Sequence, residues 1–489
     1  MPFPNHASVI DPACLGHSEF RSEYGVKYAY TAGAMYKAIA SEALVVALGK
    51  AGLIGFFGTG GLTLARIEAA IASIKSQLAA NQPFGLNLLH DMRRPDLENQ
   101  TVDLFFARGI RSVEAAAYLD VMPSVVRYRL RGVTRGSGGT IHAPHRVLAK
   151  VSRPEVARAF MSPAPENLVH ELVAAGRLTA QEAELGRCIP VAGDICVEAD
   201  SGGHTDHGVA YALMPAMLRL RDEMMSRYSY QKRIRVGAAG GIGSPEAAAA
   251  AFIMGADFIT TGSINQCTVE AGTSDSVKDL LQEIDVQDTA DAPAGDMFES
   301  GAKVQVLKKG VFFPGRANRL YELYSRHNSL EEIDHPTRKQ LEEKYFKRSF
   351  EEIWIETRDY YLRTDPKFGK TEPSPKQKMA LVFKWYFVHS TRLAIHGVEE
   401  ERVNYQVHCG PALGAFNQWV KGTVLESWRN RHVNDIAERI MNGAAIVLTK
   451  RHAEMVLHHQ GSDSVQNDDN CLAQQGRIAR PPSGTRVSN

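Results

Sequence analysis

A chain of 489 residues has room for about three average domains, or for one barrel of about 250 residues with a smaller unit beside it. Hydrophobic residues make up 44%, charged residues 23% and aromatics 8%, which excludes a disordered chain, a collagen-like repeat and a coiled-coil rod. Lys and Arg number 56 against 55 Asp and Glu, so the net charge of +1 gives no reason to expect nucleic acid or a membrane surface as partner.

The start, MPFPNHASVIDPACLGHSEF, lacks a basic stretch followed by an apolar run and does not read as a secretory signal. Residues 1–30 read as an irregular segment. From about Met35 to Gly315 short apolar runs alternate with helical periodicity. AGLIGFF (51–57) reads as a strand, stopped by Gly58-Thr59-Gly60-Gly61. Leu64, Ile67, Ile71, Ile74 and Leu78 then recur at the spacing of one helix face. FGLNLL (84–89), RSVEAAA (111–117), HRVLAKV (145–151) and DICVEA (194–199) read as further strands, and RIRVGAAGG (233–241) and ADFITTG (256–262) close the series. Between the last two, Ser244 and Pro245 are the N-cap and first residue of a helix. Strands alternating with helices imply a parallel sheet. At least seven of them within one unit favour an α/β fold of the closed TIM-type, a (β/α)8 barrel spanning 31–315.

From Arg316 to about residue 460 helical patterns and aromatic residues dominate. Ser329-Leu-Glu-Glu332 and Ser349-Phe-Glu-Glu352 have the form of capping boxes. This part reads as a mostly helical substrate or cap region packed on the barrel. The apolar stretch Met379 to Ile395 carries Lys384, His389 and Arg392, so it reads as a buried amphipathic helix rather than a membrane span. Residues 461–489 are polar and read as a disordered tail. Cys14, Cys188, Cys196, Cys267, Cys409 and Cys471 form no CxxC pair, which suits a reducing, cytoplasmic compartment.

Three groups of residues can carry chemistry. Gly237-Ala-Ala-Gly240-Gly241-Ile-Gly243-Ser244 and Thr260-Thr261-Gly262-Ser263 end consecutive strands. Glycines there let backbone N–H groups approach a phosphate, and the next helix N-terminus favours its charge. In barrels that site lies in the loops after strands 7 and 8, so the pair reads as a phosphate cradle of the kind FMN requires. The second group, Glu198-Ala-Asp200-Ser-Gly202-Gly203-His204-Thr-Asp206-His207, follows a strand into the barrel mouth. Gly202 and Gly203 keep the backbone thin beside His204, so that a ligand ring can lie close. Asp200, His204, Asp206 and His207 could instead ligate a metal, but their spacing matches no established zinc pattern. In the third group, Gly58, Thr59 and Asn87 place polar groups at the mouth, and Lys150 puts a cation on a strand. Separately, Arg127, Arg129 and Arg131 alternate in VVRYRLRGV. If that segment is extended they share one face, and with Arg93, Arg94 and Arg135 they would form a basic patch suited to an acidic partner.

The segments EADSGGHTD, VGAAGGIGSPEAAAAAFIMGADFITTGSINQ, APAGDMFESGAKVQVLKKG and CGPALGAFNQWV resemble the PfaD-like enoyl reductases of polyunsaturated fatty acid and trans-acyltransferase polyketide synthases. The resemblance runs over roughly residues 30–450. More distantly the chain is similar to FMN-dependent enoyl-acyl-carrier-protein reductases and nitronate monooxygenases, through the GGH loop and the GGI and TGS loops. The resemblance implies an FMN-binding barrel in which Gly240, Gly241 and Gly243, with Thr261, Gly262 and Ser263, hold the phosphate. Gly58, Thr59 and Asn87 would lie along the isoalloxazine, with Gly203 and Lys150 as further flavin contacts, and His204 would be the active-site histidine. The implied activity is NAD(P)H-dependent reduction of the α,β-double bond of acyl-carrier-protein-bound enoyl thioesters, with NADPH or NADH as hydride donor and carrier-protein domains as partners. A homodimer is the commonest symmetric arrangement for such an enzyme. Nitronate oxidation with oxygen and a non-catalytic flavin-binding scaffold in a synthase assembly are the competing readings.

Overall fold

The computed structural model describes residues 9–91, 94–365, 368–370 and 372–462. The residues read as a disordered tail lie outside the described ones, apart from 461 and 462. Those two end the helix Val433–Ser462.

Eight parallel strands close into a barrel: β1 (Tyr30–Ala32), β2 (Ile54–Phe57), β3 (Gly85–Leu89), β4 (Ser112–Ala116), β5 (Arg146–Val151), β6 (Asp194–Glu198), β7 (Arg235–Ala239) and β8 (Ile259–Thr261). Each pairs with its neighbours in chain order, and β1 closes the ring on β8 through Tyr30↔Ile259, Thr31↔Thr260 and Ala32↔Thr261. The seven strands read from the sequence are present, each trimmed by a residue or more. The eighth is β1, at the edge of the segment read as irregular. That segment also contains the helix Ser18–Tyr24. It plugs the barrel floor: Phe20 stacks on Phe258 at 4.5 Å, and the Tyr24 hydroxyl donates to Asp194 Oδ2 at 2.8 Å.

Local signals set the outer helices. Thr63 caps the helix Leu64–Gln77, which buries Ile67, Ile71 and Ile74. Ser244 accepts from the Ala247 N–H, and Pro245 opens the helix Pro245–Ile253. Ser349 and Glu352 form a reciprocal capping box on the helix Phe350–Thr364. Ser329 does not cap: it precedes a three-residue 3-10 turn with no side-chain hydrogen bond, while Glu332 accepts from the Asn328 N–H at 2.7 Å.

After β8 the chain forms an antiparallel hairpin, Thr289–Pro293 with Lys303–Leu307, and the two-residue strand Gly203–His204 adds to its edge. A second hydrophobic core grows from this hairpin. It joins Phe298 and Phe313 to Phe346, Phe350, Phe383 and Phe387, and each fully buried ring is worth about 1.5–3 kcal/mol. The 315/316 division read from the sequence falls inside one helix, Phe313–Arg326. The helix Pro375–His396 is buried and amphipathic, with Lys384 paired to Glu299 across the cap. From Leu393 onward the chain returns to the barrel: Tyr405, Phe416, Trp428 and Ile436 join the barrel core, and the helix Val433–Ser462 packs on Pro245–Ile253. Among the described residues no helix is long and apolar enough to cross a membrane.

Candidate active site

Every site residue read from the sequence lies at or beside the C-terminal end of a barrel strand, the end where barrel enzymes carry their chemistry. Gly58 and Thr59 follow β2, and Asn87 lies within β3. Lys150 lies on β5, Gly203 and His204 follow β6, Gly240 to Gly243 follow β7, and Thr261 to Ser263 end and follow β8.

The two glycine loops divide the work. A side chain at Gly243 would collide with the Ala412 carbonyl oxygen, 1.9 Å from an added Cβ, so this glycine admits the helix Pro411–Val420. Gly241 is exposed at φ +72°, with nothing within 4 Å of an added Cβ, and Gly262 on the neighbouring loop is equally open. The Gly410 N–H donates to Ser263 Oγ at 2.9 Å. Two helix starts, at Pro245 and Pro411, therefore abut two open backbone turns, an arrangement that favours a phosphate dianion. Thr261 supports this edge from within: its hydroxyl meets Tyr30, and its carbonyl accepts from the Gly33 N–H and the Asn265 amide.

The floor of the mouth is ionic. Lys150 Nζ lies 3.1 Å from Glu198 Oε1 and 3.9 Å from Glu114 Oε1. Burial works against the ammonium charge, but the two carboxylates outweigh it and hold the Lys150 pKa above the ordinary value. Burial pushes the Glu114 carboxyl up to about 7, against the pull of Lys150 and the Ala34 N–H. Thr59 Oγ1 donates to the Asn87 carbonyl at 2.8 Å, and the Asn87 amide donates to the Glu114 carbonyl at 3.0 Å, tying the ends of β2, β3 and β4 together.

The β6 loop does not gather its acidic and histidine side chains at one point. Asp206 turns away to Arg153, at 2.7 and 2.9 Å, which holds its pKa down to about 2. His207 bridges Asp200 at 3.3 Å and Asp291 at 3.2 Å. His204 Nε2 donates to Asp296 Oδ1 at 3.1 Å. That hydrogen bond raises the imidazole pKa above its ordinary value, and burial opposes it less strongly. Burial alone would raise the Asp296 carboxyl, but the His204 contact outweighs it and holds the group below its ordinary value. Among the described residues no group of three or more His, Cys, Asp or Glu side chains is arranged to hold a metal ion.

Residues 19–294 match the nitronate monooxygenase family model, and residues 327–405 match the inserted helical domain of acyl-carrier-protein S-malonyltransferase. The polyketide biosynthesis protein PksE of Bacillus subtilis is 58% identical over 457 residues, covering 94% of this chain and 59% of that protein. ThaF of Burkholderia thailandensis, also a polyketide biosynthesis protein, is 53% identical over 442 residues, covering 90% of this chain and 38% of that one. The chain thus spans well under two thirds of each relative's length. The crystal structure of the enoyl reductase domain of MlnA, from the macrolactin biosynthesis cluster of Bacillus amyloliquefaciens, superposes with a TM-score of 0.87 at 47% identity, over 91% of this chain and 99% of that domain. The chain belongs to the PfaD-like enoyl reductase family.

The arginine segment departs from the sequence reading. VVRYRLRGV is not extended. Pro123 opens the helix Pro123–Leu130, in which Arg127 and Arg129 are 5% and 8% exposed. Arg127 pairs with Asp103 and lies over the Phe106 ring. Arg129 donates to the Pro190 and His145 carbonyls at 3.2 and 2.7 Å, and Arg131 to the Arg177 carbonyl at 3.1 Å. Arg94 bonds Asp91, and Arg135 bonds the Gly139 carbonyl. Arg93 lies outside the described residues. The guanidinium groups of Arg127 and Arg129 hold the outer layer of the barrel together, and among the described residues the alternating arginines do not share one exposed face.

Two residues of the candidate site were not singled out from the sequence. Asp296 sits in APAGDMFESG, a segment quoted above only for its resemblance. Its role depends on a hairpin that folds back over a residue 92 positions away. His408 precedes CGPALGAF and reaches the same mouth through an isolated bridge to Val306. The Asp296 contact predicts a titration. A histidine whose pKa is raised by a carboxylate stays protonated to higher pH and loses its proton as pH rises through the raised value. In Asp296→Asn that source of negative charge is gone, so the His204 ring will titrate at lower pH than in the wild type. NMR titration of the imidazole protons measures this; an unmoved midpoint would show that Asp296 does not set the charge of His204.

Proposed function

We propose that the chain is an FMN-dependent enoyl reductase that reduces the α,β-double bond of enoyl thioesters borne by acyl carrier proteins of a polyketide synthase, with NADPH or NADH as hydride donor. The observation that carries the reading is His204, tethered to Asp296 at the mouth of a barrel whose adjacent loops leave an open, helix-capped turn for a phosphate. The donor set fits FMN. Gly241, Gly262 and the helix starts at Pro245 and Pro411 would receive the phosphate, Gly58, Thr59, Asn87 and Gly203 would lie along the ring, and Lys150 would place a positive charge beside it. When bound, the flavin supplies two-electron hydride chemistry between nicotinamide and enoyl carbon.

The protein's own part is binding, orientation and proton supply. His204, whose protonated form Asp296 favours, donates the proton that quenches negative charge at Cα of the thioester. Asp296 holds the imidazole in place while it does so. Glu114 and Glu198 fix the Lys150 ammonium at the centre of the mouth.

The test is anaerobic. NADPH-reduced protein mixed with crotonyl-pantetheine should reoxidise without oxygen and form butyryl-pantetheine. Protein that reoxidises only with oxygen, and consumes a nitroalkane while doing so, would be a nitronate oxidase. Protein that binds FMN and is never reduced by NADPH would be a scaffold.

A further inference from the structure

The imidazoles at the mouth are not equivalent. His408 is packed face to face with Tyr36, with ring centroids 5.3 Å apart, on the loop that follows β1. Its Nε2 lies 2.8 Å from the Gln406 side-chain nitrogen. An amide nitrogen only donates, so Nε2 is the acceptor and the ring proton resides on Nδ1. In this orientation the Gln406 oxygen accepts from Thr391 Oγ1 at 3.3 Å. Thr391 in turn accepts from the Tyr36 hydroxyl at 3.2 Å. A chain of polar groups from the β1 loop, the cap helix Pro375–His396 and the returning strand thus joins His408 to Tyr36 in the arrangement that protonates Nδ1.

The Nδ1–H so defined has no hydrogen-bond partner of its own among the described residues. It faces the thin backbone of the β6 loop: a Cβ on Gly203 would stand 3.8 Å from it. Burial, with the positive charge of His204 nearby, pushes the His408 pKa down to about 4, so the ring is neutral where His204 is charged. His204 can give up a proton, whereas His408 can only lend an N–H.

We propose that His408 is a second catalytic imidazole, whose Nδ1–H binds the thioester carbonyl oxygen of the enoyl substrate and stabilises the negative charge that develops on it. The proposal rests on the enoyl-reductase reading above. A reduced flavin held in the mouth would supply the hydride that becomes the new C–H bond at Cβ. The π pair of the double bond moves toward Cα and the thioester oxygen, and the His408 N–H holds that oxygen without transferring its proton. The His204 proton then bonds to Cα, the carbonyl is restored, and His204 regains a proton from solvent. A preorganised neutral donor aimed at developing charge is worth on the order of 10²–10³ in rate.

The experiment uses the full-length flavin-loaded protein. In His408→Ala, reduction by NADPH should proceed at the wild-type rate, while anaerobic reoxidation by crotonyl-pantetheine should slow by a factor on the order of 10²–10³. His408→Asn, whose amide N–H can stand near the position of Nδ1, should recover part of the loss. Nitrogen-15 NMR of the histidine-labelled wild type should show one imidazole with a protonated Nδ1 and a bare Nε2, absent from the His408→Ala spectrum. A His408→Ala protein that keeps pace with a functional wild type, or that slows equally in both half-reactions, overturns the assignment. So does a proton on Nε2, whatever becomes of the variants. A wild type that no enoyl thioester reoxidises overturns the enoyl-reductase reading itself, and this role of His408 with it.

Discussion

Gly241→Val protein will purify folded and colourless. Gly241 sits at φ +72° on the open turn after β7, with nothing within 4 Å of an added Cβ. The Cβ of a valine there has open space around it, and the left-handed backbone costs roughly 1–2 kcal/mol, a penalty a domain of ordinary stability survives. What the isopropyl group does fill is the space through which a phosphate must approach the backbone N–H groups. Absorbance at flavin wavelengths per chain, with circular dichroism to verify the fold, reads the outcome. Full flavin content in a folded Gly241→Val protein would remove the phosphate from this turn. The neighbouring Gly243 is no substitute for the test, because a side chain there strikes Ala412 and would displace a helix whether or not a ligand binds.

His204→Ala should separate the two halves of the reaction. The residue stands beyond β6 and is held by Asp296 from the hairpin side of the mouth. Losing it should leave reduction by NADPH near the wild-type rate and slow transfer to the enoyl thioester by a factor on the order of 10²–10³. Stopped-flow absorbance follows both steps in one sample. Equal slowing of both, or of neither, would contradict a role confined to the acyl substrate. The variant also bears on the electrostatics: without the His204 charge, the His408 pKa should rise from its depressed value, since that charge is one of the causes holding it down.

The barrel was legible because its signals are local. Apolar runs mark β2 to β8, with glycine turns after β2, β7 and β8, and the helix Pro245–Ile253 announces itself through a cap and a proline within two residues. The mouth was legible for the same reason: glycines at strand ends and the GGH loop are contiguous in the chain. β1 was not. Three residues, Tyr30–Ala32, are too few to display a period, and they are a strand only because β2 and β8 supply partners on both sides. The arginines of VVRYRLRGV went the other way. Their alternation fits an extended segment, but Pro123 starts a helix, and buried carbonyls and Asp103 take up the guanidinium groups.

The sequence by itself determined the order of strands and helices, the barrel class and the loops at the barrel mouth, because backbone preference and side-chain periodicity act between residues within a turn or two of each other. Only the tertiary structure decided which charged groups meet. Asp296 reaches His204 because Lys303–Leu307 pairs with Gly203–His204, and His408 enters the mouth because the chain returns from the cap to bridge Val306. The charge states of these imidazoles, one raised by a carboxylate and one lowered by burial, depend on desolvation and on partners far away in the chain. No stretch of neighbouring residues encodes either.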